Sequence, residues 1–230
     1  MIVRLIAHTT TVNVGAWEEA GYILGGQRIA DADDLAEFAG RLCYQSWDRP
    51  NPKTAANSDY LGNIINQAHF SVLEHASATF YVAGVSRSLS HELVRHRHLS
   101  FSQVSQRYVD ESQAEYIAPP GWKNLPAHMI DATLSQGAIN DVVESTHRAY
   151  AVIVATLEHS GMTRKEARQA ARAVLPNMTE TKLVVTGNMR AWREVIAKRI
   201  SPHADAEIQE LAKELLRQLK VIAPGTFQDL

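Results

Sequence analysis

Apolar residues recur along the chain at two spacings, and the spacing assigns most of its elements. A short apolar run at Ile2, Val3, Leu5 and Ile6 predicts a first strand over 2–9. Residues 10–30 are rich in Gly without sustained period and read as a loop. Asp31 and Asp33 are candidate caps for a helix through Leu35, Phe38, Ala39, Leu42 and Cys43. The i, i+3, i+4 spacing of those apolar residues directs one face to the core. Prolines between Asp48 and Lys53 end that helix, and a second, over about 57–68, aligns Leu61, Ile64, Ile65 and Ala68. Phe80, Tyr81, Val82 and Val85 predict a strand over about 76–85. Ser86 or Ser88 then starts a helix through Leu89, Leu93 and Val94.

Further on, Glu115–Trp122 reads as a short strand broken at Pro119-Pro120-Gly121. Helical period holds from about 138 to 160, through Ile139, Val142, Val143, Thr146, Ala149, Tyr150, Ile153 and Leu157, until Gly161 stops it. Thr163 and Glu166 form a capping-box pattern for a helix ending before Pro176. The β-branched run 179–186 predicts a strand, turned by Gly187-Asn188 into a helix over about 189–200. Pro202 precedes a last amphipathic helix over about 204–221. Strands and helices mix without regular alternation, which favours α+β over a doubly wound sheet. No repeat or linker divides the 230 residues, so a single domain over 1–230 is expected.

Composition narrows the class. The chain is 45% hydrophobic and 21% charged, enough to bury a full core. A formal charge of −2 argues against a general nucleic-acid coat, which needs a broad basic face. Cys43 is the single cysteine, which excludes an internal disulfide and fits a reducing cytoplasm. The N-terminal MIVRLIAHTT lacks a cleavage signature, and no stretch approaches the length of apolar residues a membrane span needs.

Against that background the segment Arg95–Tyr108 stands out. Between Arg87 and Arg107 four Arg face one acid, Glu92, a local charge of +3. Ser100, Ser102, Gln103, Ser105 and Gln106 follow as a dense set of hydroxyls and amides. Arg forks match phosphate oxygens in pairs, so this composition suits a phosphorylated ligand. The plain alternative is a solvated basic helix end that complements the helix dipole. Glu92 stands three residues before Arg95, where a helical face would let it orient the guanidinium. Elsewhere, Arg164, Arg168 and Arg172 form a stripe at i, i+4 spacing, which is either a solvated face or, at Arg172, an inward-pointing cation. Arg190 and Glu194 have the spacing of an ion pair. Arg190 and Arg199 point about 180° apart on a straight helix. Cys43, beside Leu42 and Phe38, reads as a core residue rather than a nucleophile.

The arrangement Arg95-His96-Arg97, seven residues, Ser105 resembles the signature of the flavin-dependent thymidylate synthases, the ThyX family. The likeness extends over almost the whole chain: GRLCYQSW near 40–47, HFSVLEH at 69–75, ARQAARAVLPN at 167–177, and TGNMRAW through Arg199 and His203. It is nearest to actinobacterial-type members, which often continue past the position of Leu230.

The resemblance implies a fold with a mostly antiparallel sheet flanked by helices. It implies reductive methylation of dUMP to dTMP, with 5,10-methylenetetrahydrofolate as carbon donor, FAD as hydride carrier and NADPH as reductant. No enzyme Cys acts as nucleophile in such a reaction. On the dUMP side it places Glu92, Leu93, Val94 and Arg95, then Gln103, Val104, Ser105, Gln106 and Arg107, with Arg172 and Arg199 from further on. On the FAD side it places Ser71, Arg95, His96, Arg97 and Gln103, with Asn188, Arg190 and Glu194. His69 and Glu74 lie beside Ser71, and His203 matches a position near the flavin ring. Arg199 is implied to be the catalytic group, stabilising negative charge on the pyrimidine. A homotetramer with sites at subunit junctions is implied as well, with Arg199 expected to reach the Arg95–Tyr108 segment across a subunit boundary. No metal is implied.

Two rival readings are a nucleic-acid contact patch around Arg95–His98 and a metal hydrolase using His69, His75, His91, His96 and His98. The spacings of the latter three do not make the i, i+4 pair of a helical zinc site.

Overall fold

The computed structural model describes residues 1–23, 31–49, 51–118, 120–123 and 130–230. Part of the expected loop 10–30, and the prolines at 50 and 119, lie outside the described residues. The elements are β1 (Ile2–His8), α1 (Gly15–Glu19), α2 (Asp31–Tyr44), α3 (Asn57–Asn66), β2 (Ser77–Ser86), α4 (Arg87–Leu93) and β3 (Leu99–Gln103). They continue with α5 (Pro120–Lys123), α6 (Ile130–His159), α7 (Arg164–Ala171), β4 (Glu180–Asn188), α8 (Met189–Arg199) and α9 (Ala206–Ile222).

The four strands form one antiparallel sheet in the order β1-β2-β4-β3, giving the expected α+β class. Most predicted elements are present within a few residues. Ser86 caps α4 by accepting from Leu89 N at 3.0 Å, and Asn188 caps α8 by accepting from Ala191 N at 2.8 Å. The capping box at Thr163 and Glu166 is formed.

Two compact units share the strands. The first comprises Val3–Tyr81, His96–Phe101 and Val184–Leu230. Its core joins Phe80 and Trp192, whose rings meet edge to face at 5.2 Å, with Leu61, Leu73, Ile196, Leu211, Leu215 and Phe227. The Trp192 indole N–H is satisfied by Ala78 O at 3.1 Å, as a buried polar edge requires. The edge strand β1 is covered by Gln218 of α9, which donates to Val3 O at 2.9 Å and accepts from Leu5 N at 2.8 Å. The second unit comprises Met1–Ile2, Val82–Arg95 and Ser102–Leu183. There α6 packs on α7 around fully buried Tyr150, Ala167 and Ala171.

Three departures from the sequence reading matter. A short helix, α1, interrupts the expected 10–30 loop and buries Trp17. The helix reaching the basic segment stops at Leu93, and Leu99–Gln103 is a strand that the apolar spacing does not predict. The third concerns α2, which turns the other way from its apolar spacing. It buries Asp33, Glu37 and Arg41, while Leu42, Cys43 and Tyr44 are exposed. Cys43 is therefore not in the core. Satisfied polar contacts decide the rotation. Glu37 accepts from Arg41 Nε at 2.6 Å and from Asn57 Nδ2 at 2.8 Å, and Asp33 accepts from Gly225 N, Thr226 N and Thr226 Oγ1. Buried charges are tolerated when so paired.

Candidate active site

Each unit holds a cleft. In the first unit, a cleft of about 350 Å³ lies between α2, α3 and the 3-10 turn Phe70–Glu74. Tyr60, Ile64, Phe70 and Val72 make its walls apolar, with Cys43, His69, Ser71 and Arg190 as polar points. Gly40 is required there, because a Cβ would collide with the Tyr60 hydroxyl. Arg190 donates to Glu74 Oε1 at 2.5 Å, both side chains half-exposed. The expected Arg190–Glu194 pair is not formed. Glu194 instead binds Lys198 at 2.6 Å, one turn further along α8, so Arg190 is turned toward the cleft. Ser71 and Arg190, two of the expected flavin contacts, thus meet at one cleft. Asn188 is committed to its helix cap. Arg97 is exposed, with no side-chain partner among the described residues.

Also in the first unit, Arg199 Nε donates to His96 Nε2 at 3.0 Å. The expectation that Arg199 reaches the Arg95–Tyr108 segment only across a subunit boundary is corrected by this contact. The last turn of α8 delivers it to His96 of the same chain. Arg190 and Arg199 have separate partners, as their opposite directions on α8 require. His203 is exposed. Cys43 Sγ has one hydrogen bond among the described residues, donated to Ala39 O at 3.4 Å inside its own helix.

The second unit has a polar cleft of about 370 Å³ lined by Arg87, Ser90, His91, Val94, Gln103, Gln106, Leu175, Pro176 and Asn177. Gln103 is held by two donations from Nε2, to Ser90 Oγ at 3.0 Å and Thr181 Oγ1 at 3.1 Å, which leaves its carbonyl oxygen as the acceptor on offer. Arg87 Nη2 donates to Val104 O at 3.0 Å, while its Nε is buried without a partner among the described residues. Burial lowers the Arg87 pKa, the Glu111 carboxylate partly offsets this, and the Arg172 guanidinium lowers it further. The half-buried Arg87 thus feels the charge of Arg172, whose own side chain is exposed.

Val94, Gln103 and Gln106, which the resemblance places on the dUMP side, line this one cleft. Leu93 is 1% exposed and belongs to the core. Arg107 lies 5.7 Å from the Tyr108 ring centroid, and Ser105 closes the turn by accepting from Tyr108 N and Val109 N through its carbonyl. Arg95 is exposed. Arg87, Ser90, His91 and Asn177 were not singled out as contacts. A signal existed for the first three: positions 87, 90, 91 and 94 share one face at helical spacing with Val94.

No group of three or more His, Cys, Asp or Glu among the described residues is placed to hold a metal, and no described helix is long and apolar enough to cross a membrane.

A family model described as thymidylate synthase complementing protein matches residues 27–225. A probable flavin-dependent thymidylate synthase of Mycobacterium phage D29 is 52% identical over 230 residues, covering 100% of this chain and 96% of its own. The flavin-dependent thymidylate synthase of Mycobacterium tuberculosis (strain ATCC 25618 / H37Rv) is 53% identical over 209 residues, covering 86% of this chain and 81% of its own. That of Mycolicibacterium gilvum (strain PYR-GCK) is 54% identical over 202 residues, with the same coverage of 86% and 81%.

Proposed function

The chain belongs to the thymidylate synthase complementing protein family, the flavin-dependent thymidylate synthases, and on that premise we propose how its residues divide the work of methylating dUMP to dTMP. Both rival readings, the nucleic-acid patch and the metal hydrolase, give way to this enzyme class. The observation that carries the assignment of the nucleotide cleft is Arg87, which lines it with a buried Nε that has no partner among the described residues. Such a cation, which also feels the charge of Arg172, is stabilised by a ligand anion of high charge, and a nucleotide phosphate supplies one. Gln103 and Gln106 hold the remainder of the nucleotide, with Val94 as an apolar contact. Glu92, Arg95, Val104, Ser105 and Arg107 complete the nucleotide contacts.

FAD suits the first-unit cleft by the chemistry of its lining. Apolar walls accept a planar ring, the Ser71 hydroxyl offers a hydrogen bond, and Arg190 offers positive charge to a diphosphate. Arg97, His96, Asn188 and Glu194 are further contacts in this reading. When bound, the reduced flavin supplies the hydride that completes the methyl group, with methylenetetrahydrofolate as the carbon source and NADPH as the reductant. The protein binds and orients. Arg199 bears on the negative charge that develops on the pyrimidine. No covalent bond to the enzyme is required, which is consistent with the helix-internal hydrogen bond of Cys43. The homotetramer is proposed from the family resemblance. A single cysteine is compatible with the cytoplasm.

Purified protein is expected to be yellow and to form dTMP from dUMP, methylenetetrahydrofolate and NADPH. Protein that stays colourless after reconstitution with FAD would contradict the assignment. Arg87→Ala should weaken dUMP binding by about 10–100-fold, the worth of one charge-assisted hydrogen bond, while weak binding of deoxyuridine changes little. Equal losses for nucleotide and nucleoside in a calorimetric titration would show that Arg87 does not hold the phosphate. Cys43 Sγ reports on the other cleft. Its alkylation by iodoacetamide should slow when FAD is bound, and a rate indifferent to FAD would place the flavin elsewhere.

A further inference from the structure

Arg199 emerges from the last turn of α8, where a long side chain has several torsions to settle. What restrains its inner end is specific: Nε donates to His96 Nε2 at 3.0 Å. A guanidinium has no acceptor, so Nε2 must carry the lone pair and the ring proton of the neutral imidazole must sit on Nδ1. A protonated ring would offer no acceptor and would set two cations against each other. The surroundings favour the neutral form. Burial, then Arg199, then Lys198 hold the His96 pKa below its ordinary value, and Glu194 acts in the opposite direction while engaged by Lys198. His98 is the other titratable group that the Glu194 carboxylate feels here, and Arg95 and Arg97 flank the ring in sequence. Because a guanidinium is planar, holding Nε sets the plane of the whole fork and the direction of both Nη groups.

We propose that His96 is a positioning residue for Arg199: its neutral ring, with the lone pair on Nε2, fixes the plane of the Arg199 fork, and protonation of the ring removes this restraint. This rests on the assignment of Arg199 to dUMP and adds a second role to a residue otherwise expected to touch only flavin. The sign of the pH effect follows. The bond is intact above the His96 pKa and is lost as pH falls through it, on the acid side of the ordinary imidazole range.

The test is the affinity of FAD-loaded protein for dUMP, titrated through the change in flavin absorbance between about pH 8 and about pH 5, with FAD content measured in parallel. The dUMP phosphate titrates near pH 6 on its own, so the comparison with variants decides, not the wild-type slope. In His96→Gln the side-chain oxygen can replace Nε2 as an acceptor that does not protonate in this range. His96→Gln should bind dUMP about as well as wild type at pH 8 and lose distinctly less affinity on acidification. His96→Leu removes the acceptor and, compared at equal FAD loading, should bind dUMP about tenfold more weakly or worse across the range. Superimposable pH curves for wild type and His96→Gln overturn the proposal, and this arm decides even if His96→Leu does not fold. Loss of FAD in the variants with an unchanged dUMP curve also overturns it, leaving His96 a flavin contact. Wild-type protein that binds no dUMP at any pH would instead remove the nucleotide assignment on which the proposal stands.

Discussion

Arg199→Ala should lower the rate of dTMP formation by about 100–1,000-fold or more while the protein still folds and keeps FAD, the loss seen when one preorganised donor to a developing anion is removed. The position of the residue supports such a clean separation. Arg199 is the last residue of α8, so its truncation leaves the helix interior untouched. The N-terminal cap at Asn188, the Lys198–Glu194 pair and the buried Trp192, Val195 and Ile196 all remain. Arg190, the residue assigned to flavin on this helix, points to a different partner, Glu74. Arg199→Lys keeps a charge but not the planar fork, and should recover only part of the rate. Single-turnover dTMP formation, read beside the flavin spectrum, measures both quantities. Undiminished turnover would mean that another group activates the ring. Loss of flavin together with turnover would make Arg199 a cofactor-holding residue.

Which parts of this were legible beforehand follows from where the deciding partners lie in sequence. The capping box at Thr163 and Glu166 and the cap at Ser86 involve residues three apart, and local sequence reveals them. The period of α6 and the β-branched run of β4 are equally local. Strand β3 was concealed because its alternating partners to Leu99, Phe101 and Gln103 are serines, which read as loop. Gln103 is positioned by Thr181, seventy-eight residues on, and Arg199 meets His96 across one hundred and three. Separations of this kind leave no periodic trace. The family resemblance names His96 and Arg199 without indicating that one holds the other. The orientation of α2 was misread for the same reason. The apolar spacing of Leu35, Phe38 and Leu42 competes with a polar network whose members come from Asn57, Thr54 and Thr226, and only the folded chain brings these together.

That network makes the second large effect. Glu37→Ala should destabilise the protein by about 3–5 kcal/mol, a large share of the roughly 5–15 kcal/mol available to a folded domain. The cost comes from what is left behind. Arg41 is 2% exposed and cannot reach bulk water. Its Nε donates to Glu37 Oε1 at 2.6 Å, Nη2 to Thr54 O at 2.7 Å and Nη1 to Ser46 O at 3.3 Å, and its guanidinium lies 4.4 Å from the Tyr60 ring centroid. Removing Glu37 leaves that charge buried with dipoles alone to balance it. It also takes an acceptor from Asn57 Nδ2 and the carboxylate 3.5 Å from Arg49. Glu37→Gln keeps an acceptor but not the charge, and should fall between wild type and Glu37→Ala. In the double variant Glu37→Met/Arg41→Leu both charges leave together, and part of the stability should return, because a buried pair exchanged for apolar volume is often near neutral. Recovery will be incomplete, since Thr54 O and Ser46 O lose their donor. The flavin should respond too, because Gly40, Cys43 and Tyr44 on the same helix line the cleft assigned to it. Urea denaturation of the three variants, followed by tryptophan fluorescence and FAD release, measures both. A change under about 1 kcal/mol for Glu37→Ala would show that water or a shifted side chain neutralises Arg41, and that the buried pair does not set the orientation of α2.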